Sequence, residues 1–522
     1  MPTATQLASI ASINPATGEV LREFDCAGEE EVRAAVAGAR SAQPAWQELG
    51  IGKRLQVLRR FQTLLQEKKA DVARLITQEA GKPYVESLLT EVLVVLDATQ
   101  FLIANARGLL RDQRIGHANL VMKAKRGRVR REPYGVIGII SPWNYPFNIP
   151  ATEGLAALAA GNAVVVKPSE FTSLSALELQ ALLRTAGVPE DIFQVLVGAG
   201  AMGAALANSQ IDKLIFTGSV ASGKKVAQAA AARLLPVVLE LGGKDPMLVL
   251  DDADLEVASS AAVWGAFVNA GQTCLSVERC YVHRSLYEPF LAKVVEKTGK
   301  LRVGNGLDPE TEVGPMIHER QLQLVESQVD EALAHGACVL TGGKRLSQLG
   351  PNFYAPTVIT GVTHEMRLMR EETFGPVLPV VPFDSDEEAV RLANDSEFGL
   401  AASIWTRNRA RGEAIATRLQ AGTVMVNDVI SCYGISEAPH GGVKASGLGR
   451  THGRFGLEEM VWVKYVDSDL LPRTRKVWWY GYGADFIHQM EGFVDFLFSR
   501  RWGSRLSGGM RALKAYFRRG WL

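Results

Sequence analysis

Cys274 ends the run Gly271-Gln272-Thr273-Cys274, and Glu240, thirty-four positions earlier, opens Glu240-Leu241-Gly242-Gly243-Lys244. A thiol and a carboxylate, each set in a glycine-bearing turn, are the parts of an activated sulfur nucleophile. The thiolate attacks electrophilic carbon, whereas a free cysteine of pKa about 8.5 is mostly protonated near neutrality, so a positioned carboxylate or water has to take its proton. Such a pair asks for a carbonyl substrate. A cysteine taken alone is more often a small buried hydrophobe, so the surroundings of Cys274 have to decide.

Those turns need a scaffold. From Glu30 to Arg111 the sequence has helical periodicity; Leu55, Leu58, Phe61, Leu64 and Leu65 recur at spacings of three and four with charges between them. From Val136 onward short apolar runs alternate with longer helical ones: 136–140, 163–166, 194–197, 213–216 and 237–239. That alternation predicts a parallel sheet with crossover helices. A second set after Cys274 includes 279–282, 337–340, 377–382 and 423–427 and predicts a second α/β domain. Between helices and sheet, residues 115–131 read as a basic alternating strand segment with Val121, Lys123, Arg126, Arg128 and Arg130. No internal repeat or low-complexity linker interrupts the chain.

At 522 residues the chain exceeds one ordinary core, and 47% hydrophobic residues suffice to bury two or more. The 57 basic and 56 acidic residues give no global case for nucleic acid. Five cysteines in so long a chain argue against a disulfide framework and for a reducing compartment. The start, MPTATQLASIAS, lacks the basic and apolar regions of a secretory signal. No stretch holds about 18 uninterrupted apolar residues. A cytoplasmic protein is expected, with membrane association at the inner surface as the variant its tail suggests.

Six motifs occur in fixed order: Pro142-Trp143-Asn144-Tyr145-Pro146, Lys167-Pro168-Ser169-Glu170, Phe216-Thr217-Gly218-Ser219, the run from Glu240, the run to Cys274, and Glu371-Glu372-Thr373-Phe374-Gly375-Pro376. Together they resemble the NAD(P)-dependent aldehyde dehydrogenase superfamily from about Ser12 to Val466. The resemblance implies an α/β chain with two Rossmann-like parallel-sheet domains, a β oligomerisation arm and a C-terminal amphipathic extension. It divides the chain into an NAD-binding domain (1–111 and 134–241), a catalytic domain (242–445), an arm (112–133 and 459–466) and the extension (467–522). In the family the arm's hairpin pairs with another subunit, which implies a homodimer or homotetramer.

The resemblance also implies roles. Asn144, otherwise a turn residue bonding its own backbone, would form an oxyanion hole with the Cys274 N–H. Lys167 and Glu170, otherwise a solvated ion pair, would hold the adenine ribose, and Glu170 would repel a 2′-phosphate, favouring NAD over NADP. A lone GxGxxG pattern, Gly198 to Gly203, invites a pyrophosphate there, but the family places it at the turn of Gly218, Ser219 and Gly223, before a helix N-terminus. Trp143 is counted among the cofactor contacts; Glu372 would bind the nicotinamide ribose and Phe374 would pack on the cofactor. Cys274 would add to an aldehyde, the adduct would give hydride to NAD, and water activated by Glu240 would hydrolyse the thioester. No metal enters this reading. Acyl transfer to coenzyme A and a catalytically silent binding protein are the rival functions; the family members that use coenzyme A commonly lack the glutamate matching Glu240, which argues against the first, and retention of Glu240, Cys274 and Asn144 together argues against the second.

Two positions depart from the family pattern. Where relatives carry a lysine and a glutamate proposed to relay protons, this chain has Glu153 and Thr451; Glu153 reads either as a replacement carboxylate or as a solvated helix residue. The tail is also unfamiliar. Residues 467–522 hold 10 Lys/Arg against 5 Asp/Glu, net +5, and four of the nine tryptophans: Trp478, Trp479, Trp502 and Trp521. Phe486, Ile487, Met490, Phe493, Val494, Leu497 and Phe498 form one helical stripe; Leu506, Met510, Leu513 and Phe517 form another among Arg505, Arg511, Lys514, Arg518 and Arg519. Packing is favoured for the first and membrane contact for the second. A medium- or long-chain aliphatic aldehyde would suit a lipid-facing tail.

Overall fold

A computed structural model describes residues 9–119, 122–474, 476 and 478–518. The first eight residues, Val121, Arg519 and Trp521 lie outside the described residues, as do the side chains of Lys514, Phe517 and Arg518. In chain order the strands are β1 (Ser9–Ile13), β2 (Val20–Asp25), β3 (Gln113–Ile115), β4 (Lys125–Pro133), β5 (Val136–Ile140), β6 (Ala163–Lys167), β7 (Phe193–Val195), β8 (Lys213–Thr217) and β9 (Val237–Glu240). There follow β10 (Asp245–Val249), β11 (Val277–His283), β12 (Cys338–Thr341), β13 (Thr357–Thr360), β14 (Val377–Phe383), β15 (Ala401–Trp405), β16 (Thr423–Val426), β17 (Gly447–Leu448) and β18 (Val461–Asp469).

One sheet has the order β17-β9-β8-β5-β6-β7, parallel except where β17 returns antiparallel on β9. Chain direction through the sheet reverses between β5 and β8. The loops leaving the carboxyl ends of those two strands therefore open a crevice of the kind that takes ligands in open α/β sheets. The other sheet runs β12-β13-β14-β11-β10-β15-β16, antiparallel only at β12. Strands β5 and β6 are buried at every residue, which is why they read as unbroken Val/Ile runs rather than alternating ones. Residues 241–244 join β9 to β10 and so link the sheets. Glu240 is the last residue of β9, and Cys274 lies three residues before β11.

The N-terminal periodicity resolves into helices Glu29–Glu48, Gly50–Glu67 and Lys69–Ala80 and the helical run Tyr84–Leu109. Leu55, Leu58, Phe61 and Leu65 are buried in the core and Leu64 is packed at its edge. By length and composition Tyr84–Leu109 could cross a bilayer, but Val92, Val95, Leu102 and Ala106 are buried in the core around the first sheet. Residues 115–131, strand-like in pattern and a hairpin by the resemblance, form a hairpin: β3 pairs antiparallel with β4, Ile115 opposite Gly127, and Lys123 falls in the connection. The closing strand continues past Val466 to Asp469.

The described residues form two compact units, one within Met1–Arg111 and Arg131–Trp462, the other within Asp112–Arg130 and Val463–Leu522. In the second unit helices Ala484–Phe498 and Trp502–Arg518 lie against each other where Gly492 and Gly508 meet, with no room for a Cβ on either. Arg511 Nη2 donates to Asp495 Oδ2 at 2.6 Å across the same contact. The first tail stripe is only partly packed: Phe486 is buried, while Ile487, Val494 and Phe498 are exposed.

Candidate active site

Cys274 is half-buried and opens onto a cavity of about 250 Å³ that Trp143, Asn144, Gly218, Ser219, Glu240, Glu372 and Phe374 also line. Three successive left-handed residues, Asn269 (φ 54°), Ala270 (φ 55°) and Gly271 (φ 71°), turn the chain into this loop. Such backbone is held only where its surroundings over-determine it. Here Asn269 N–H donates to Glu86 Oε2 at 2.9 Å, and Asn269 Nδ2 donates to the carbonyls of Asn144 and Gln272, each at 3.1 Å. A side chain at Gly271 would collide with the Gly375 carbonyl, which ties the cysteine loop to the Glu372–Phe374 loop. Burial, followed by Asp245, Glu372 and Glu240, pushes the Cys274 thiol well above its ordinary pKa.

Asn144 is buried, and its Nδ2 donates to the Gln272 carbonyl at 3.1 Å, which brings the amide beside the cysteine loop. Its own carbonyl accepts from Lys82 Nζ at 2.7 Å. Lys82 is paired at 2.7 Å with Glu91, whose other oxygen accepts from the Phe147 and Asn148 N–H groups at 3.2 and 2.7 Å. Glu91 lies in a π-helical turn, Ser87–Leu93, and satisfies free amides at the start of the Asn148–Ala160 helix. Nothing in the sequence pattern around Lys82, Glu86 or Glu91 marked them; they look like ordinary charges of an amphipathic segment.

The expected cofactor contacts divide in two. Trp143, Gly218, Ser219, Glu372 and Phe374 face the cavity. The Phe374 ring meets Trp143 edge-on at 5.3 Å between centroids, and His318 packs on Trp143 at 6.1 Å, forming an aromatic wall whose histidine the sequence did not announce. Ser219 caps the Val220–Ala231 helix, its Oγ accepting from the Ser222 N–H at 3.3 Å, so the amides of that first turn point toward the crevice. Lys167, Glu170 and Gly223 are outside the cavity lining. Lys167 is a buried cation paired with the partly exposed Glu170 at 3.2 Å, at the carboxyl end of β6. Gly223 gives the helix its close approach to Leu241, where a Cβ would not fit. The Gly198–Gly203 run opens the Gly200–Asn208 helix, and a Cβ at Gly203 would lie 3.9 Å from Lys167 Cδ. A helix N-terminus, a half-covered Lys–Glu pair and an aromatic wall around one crevice fit a dinucleotide.

Glu240 is buried, and neither carboxylate oxygen bonds another described residue. Burial, then the charge of Glu153, pushes its pKa well up, with Arg450 opposing. Glu153 is not a solvated helix residue: it is 5% exposed, lines the same cavity and bonds Thr217 Oγ1 at 3.3 Å. Burial raises it to about 8. Thr451 lines the cavity too, and so does His440, whose Nε2 lies 3.7 Å from Glu240 Oε2. Burial lowers His440 to about 3 and His452 to about 4, so both imidazoles are neutral near pH 7. A carboxyl group that can act as a base, a cysteine and the Asn144 amide on one cavity can form and cleave an acyl-sulfur bond.

Against known proteins, a model of the aldehyde dehydrogenase family matches residues 3–466. A 4,4'-diapolycopene aldehyde oxidase of a Methylomonas species is 39% identical over 516 residues, 98% of this chain and 95% of its own. A putative NADP(+) succinate-semialdehyde dehydrogenase of Mycolicibacterium smegmatis is 40% identical over 460 residues, 88% of this chain and 87% of its own. Among solved structures, the NAD+ complex of an aldehyde dehydrogenase from Bacillus cereus superposes with a TM-score of 0.85 at 37% identity, covering 88% of this chain and 93% of that one.

Proposed function

This chain belongs to the aldehyde dehydrogenase family, and from that premise we propose that it oxidises a long apolar aldehyde to the free carboxylic acid with NAD as hydride acceptor. The observation that carries the reading is Cys274, Glu240 and Asn144 on one cavity. The Cys274 sulfur adds to the aldehyde carbon while the Asn144 amide and the Cys274 N–H face the developing oxyanion. Lys167 and Glu170 would hold the adenosine end of NAD at the β5/β8 crevice and Glu372 and Phe374 its nicotinamide end, and NAD would supply the hydride acceptor. Glu240 then takes a proton from water as the oxygen adds to the thioester carbon, and the Cys274–acyl bond breaks to release acid. On this reading the first sheet belongs to the cofactor domain and the second to the catalytic domain, and β3, β4 and β18 form the arm of a dimer or tetramer.

The substrate class draws support from Ile149, Leu241, Leu324, Leu400 and Phe374 in the cavity wall. A second support is that the 516-residue match to the diapolycopene aldehyde oxidase runs into the tail beyond the family region. The tail's net charge of +5 and its exposed Trp478, Trp479, Trp502, Leu506, Met510 and Leu513 support seating on an anionic membrane surface, where such an aldehyde dissolves. The test is NADH absorbance over short, long and polyene aldehydes, with and without coenzyme A. Turnover that rises with chain length and needs no coenzyme A is expected. Dependence on coenzyme A would replace hydrolysis by acyl transfer.

A further inference from the structure

Behind the catalytic cavity lies a smaller one, of about 30 Å³, lined by Thr152, Glu153, Ser436, Thr451 and His452 and closed by apolar Phe101, Leu102 and Met460. Glu153 and Thr451 belong to both. A site of this size holds a water or two, provided that polar partners surround it. Partners are present: Glu153 Oε2 and both ring nitrogens of His452 on the small cavity, and both oxygens of Glu240 and Nδ1 of His440 on the adjoining catalytic cavity, are buried and bond no other described residue. So many uncompensated polar atoms in one place are costly unless water bridges them. The Tyr433 ring packs on both imidazoles, 4.8 Å from His440 and 4.4 Å from His452, which lie 5.8 Å from each other. The far side reaches solvent, because Ser436 Oγ donates at 2.6 Å to Asp97 Oδ2, an exposed carboxylate on the Tyr84–Leu109 run.

We propose that Glu153 receives the proton that Glu240 takes from the hydrolytic water, with His440 beside Glu240 on the catalytic cavity, and that His452 and Ser436 line the path by which it passes through the small cavity to Asp97 and solvent. The proposal rests on the hydrolytic reading above. In the step, one O–H bond of water breaks, the oxygen bonds the thioester carbon, and the proton goes to Glu240. The carbon–sulfur bond then breaks with its electron pair on Cys274, and the proton moves on, so each turnover of the thioester delivers one proton to bulk water and restores Glu240 as a base. Glu153 suits the carrier's place, since a carboxyl raised to about 8 by burial changes hands with its proton near neutrality. The neutral imidazoles donate and accept at once, and so orient water without trapping the charge. The groups facing Glu153 and Glu240 from the packed elements are Tyr433, His440, Arg450, His452 and Cys274. Arg450 is the cation among them.

The test separates deacylation from oxidation. p-Nitrophenyl acetate acylates Cys274 directly, nitrophenolate leaving, so decay of the acyl-enzyme is read without cofactor. Glu153→Gln and Asp97→Asn are compared with the parent by rapid mixing, over a pH range and in heavy water. The expected result for Glu153→Gln is an unchanged nitrophenolate burst, deacylation slowed about tenfold or more and a larger solvent isotope effect, with Glu153→Asp restoring most of the rate. Asp97→Asn, at the surface and with an amide oxygen that can still accept from Ser436, should slow deacylation by a smaller factor and shift its pH profile. A parent that deacylates normally while both variants match it in rate and pH profile overturns the relay alone. A parent whose acyl-enzyme does not hydrolyse at all overturns the hydrolytic reading, and the relay with it.

Discussion

A thiol held high by burial and by Asp245, Glu372 and Glu240 reacts only when its proton is removed, so the neighbouring carboxyls set the pH behaviour of the site. Glu240 itself is raised well above an ordinary carboxyl, first by burial and then by Glu153. A raised acid is short of its basic form at low pH and gains it as pH rises, so deacylation should climb through an alkaline limb rather than level off near pH 5. A pH–rate profile of acyl-enzyme decay checks the sign. Glu240→Gln should give a burst of NADH and then a phase slowed about 100-fold, since an amide accepts no proton from water; steady turnover at the parent rate would point to Glu153 as the base. Glu170→Ala leaves Lys167 without its partner at 3.2 Å and removes a like charge from a 2′-phosphate. The ratio of kcat/KM for NAD over NADP should fall about tenfold or more, and an unchanged ratio would assign the preference elsewhere. Cys274, Glu240 and Asn144 were legible because each lies in a run whose neighbours constrain it. His440 and His452 were not: a single histidine carries no spacing, and its meaning here comes from a strand return, β17 on β9, that brings residues two hundred positions apart to one cavity.

At the scale of elements, the oxyanion side of the site depends on a helix that contributes no catalytic group. The run Tyr84–Leu109 places Glu86 against Asn269 and Glu91 against the Asn148–Ala160 helix, and Lys82 joins Glu91 to the Asn144 carbonyl. Lys82 and Glu91 are fully buried, so removing one partner strands the other's charge. Lys82→Met should cost about 3–5 kcal/mol of stability, read as a lowered Tm, and should reduce turnover beyond the loss of folded protein because the Asn144 loop loses its anchor. Lys82→Met with Glu91→Leu should recover much of the stability and little of the activity; full recovery of both would show that the pair serves folding alone. The parallel strands were readable as apolar runs because strands buried on both faces need no alternation. The hairpin of β3 and β4 was expected from the family resemblance but not from the residue pattern, which read as one strand segment because its basic residues continue through the connection, and charge does not report a reversal of direction.

For the whole molecule, the question is what the second unit does with apolar surface that its own helices do not cover. The contact between Ala484–Phe498 and Trp502–Arg518 is built from glycines, Phe496 and the Arg511–Asp495 pair, which leaves Trp502, Leu506, Met510 and Leu513 on the outer face, each more than 60% exposed. Placing charge there tests the surface without breaking the helical hairpin, because none of the last three lies in the glycine contact. Leu506→Asp, Met510→Asp and Leu513→Asp together should abolish co-sedimentation with anionic liposomes, leave turnover of a short soluble aldehyde within about twofold of the parent, and lower turnover of a long aldehyde presented in vesicles. Salt should weaken binding of the parent, since attraction to anionic headgroups is screened within about 10 Å at 0.1 M. Equal liposome binding by parent and variant would remove the membrane from the account, and a variant that instead changes its mass by light scattering would give that face to a neighbouring subunit.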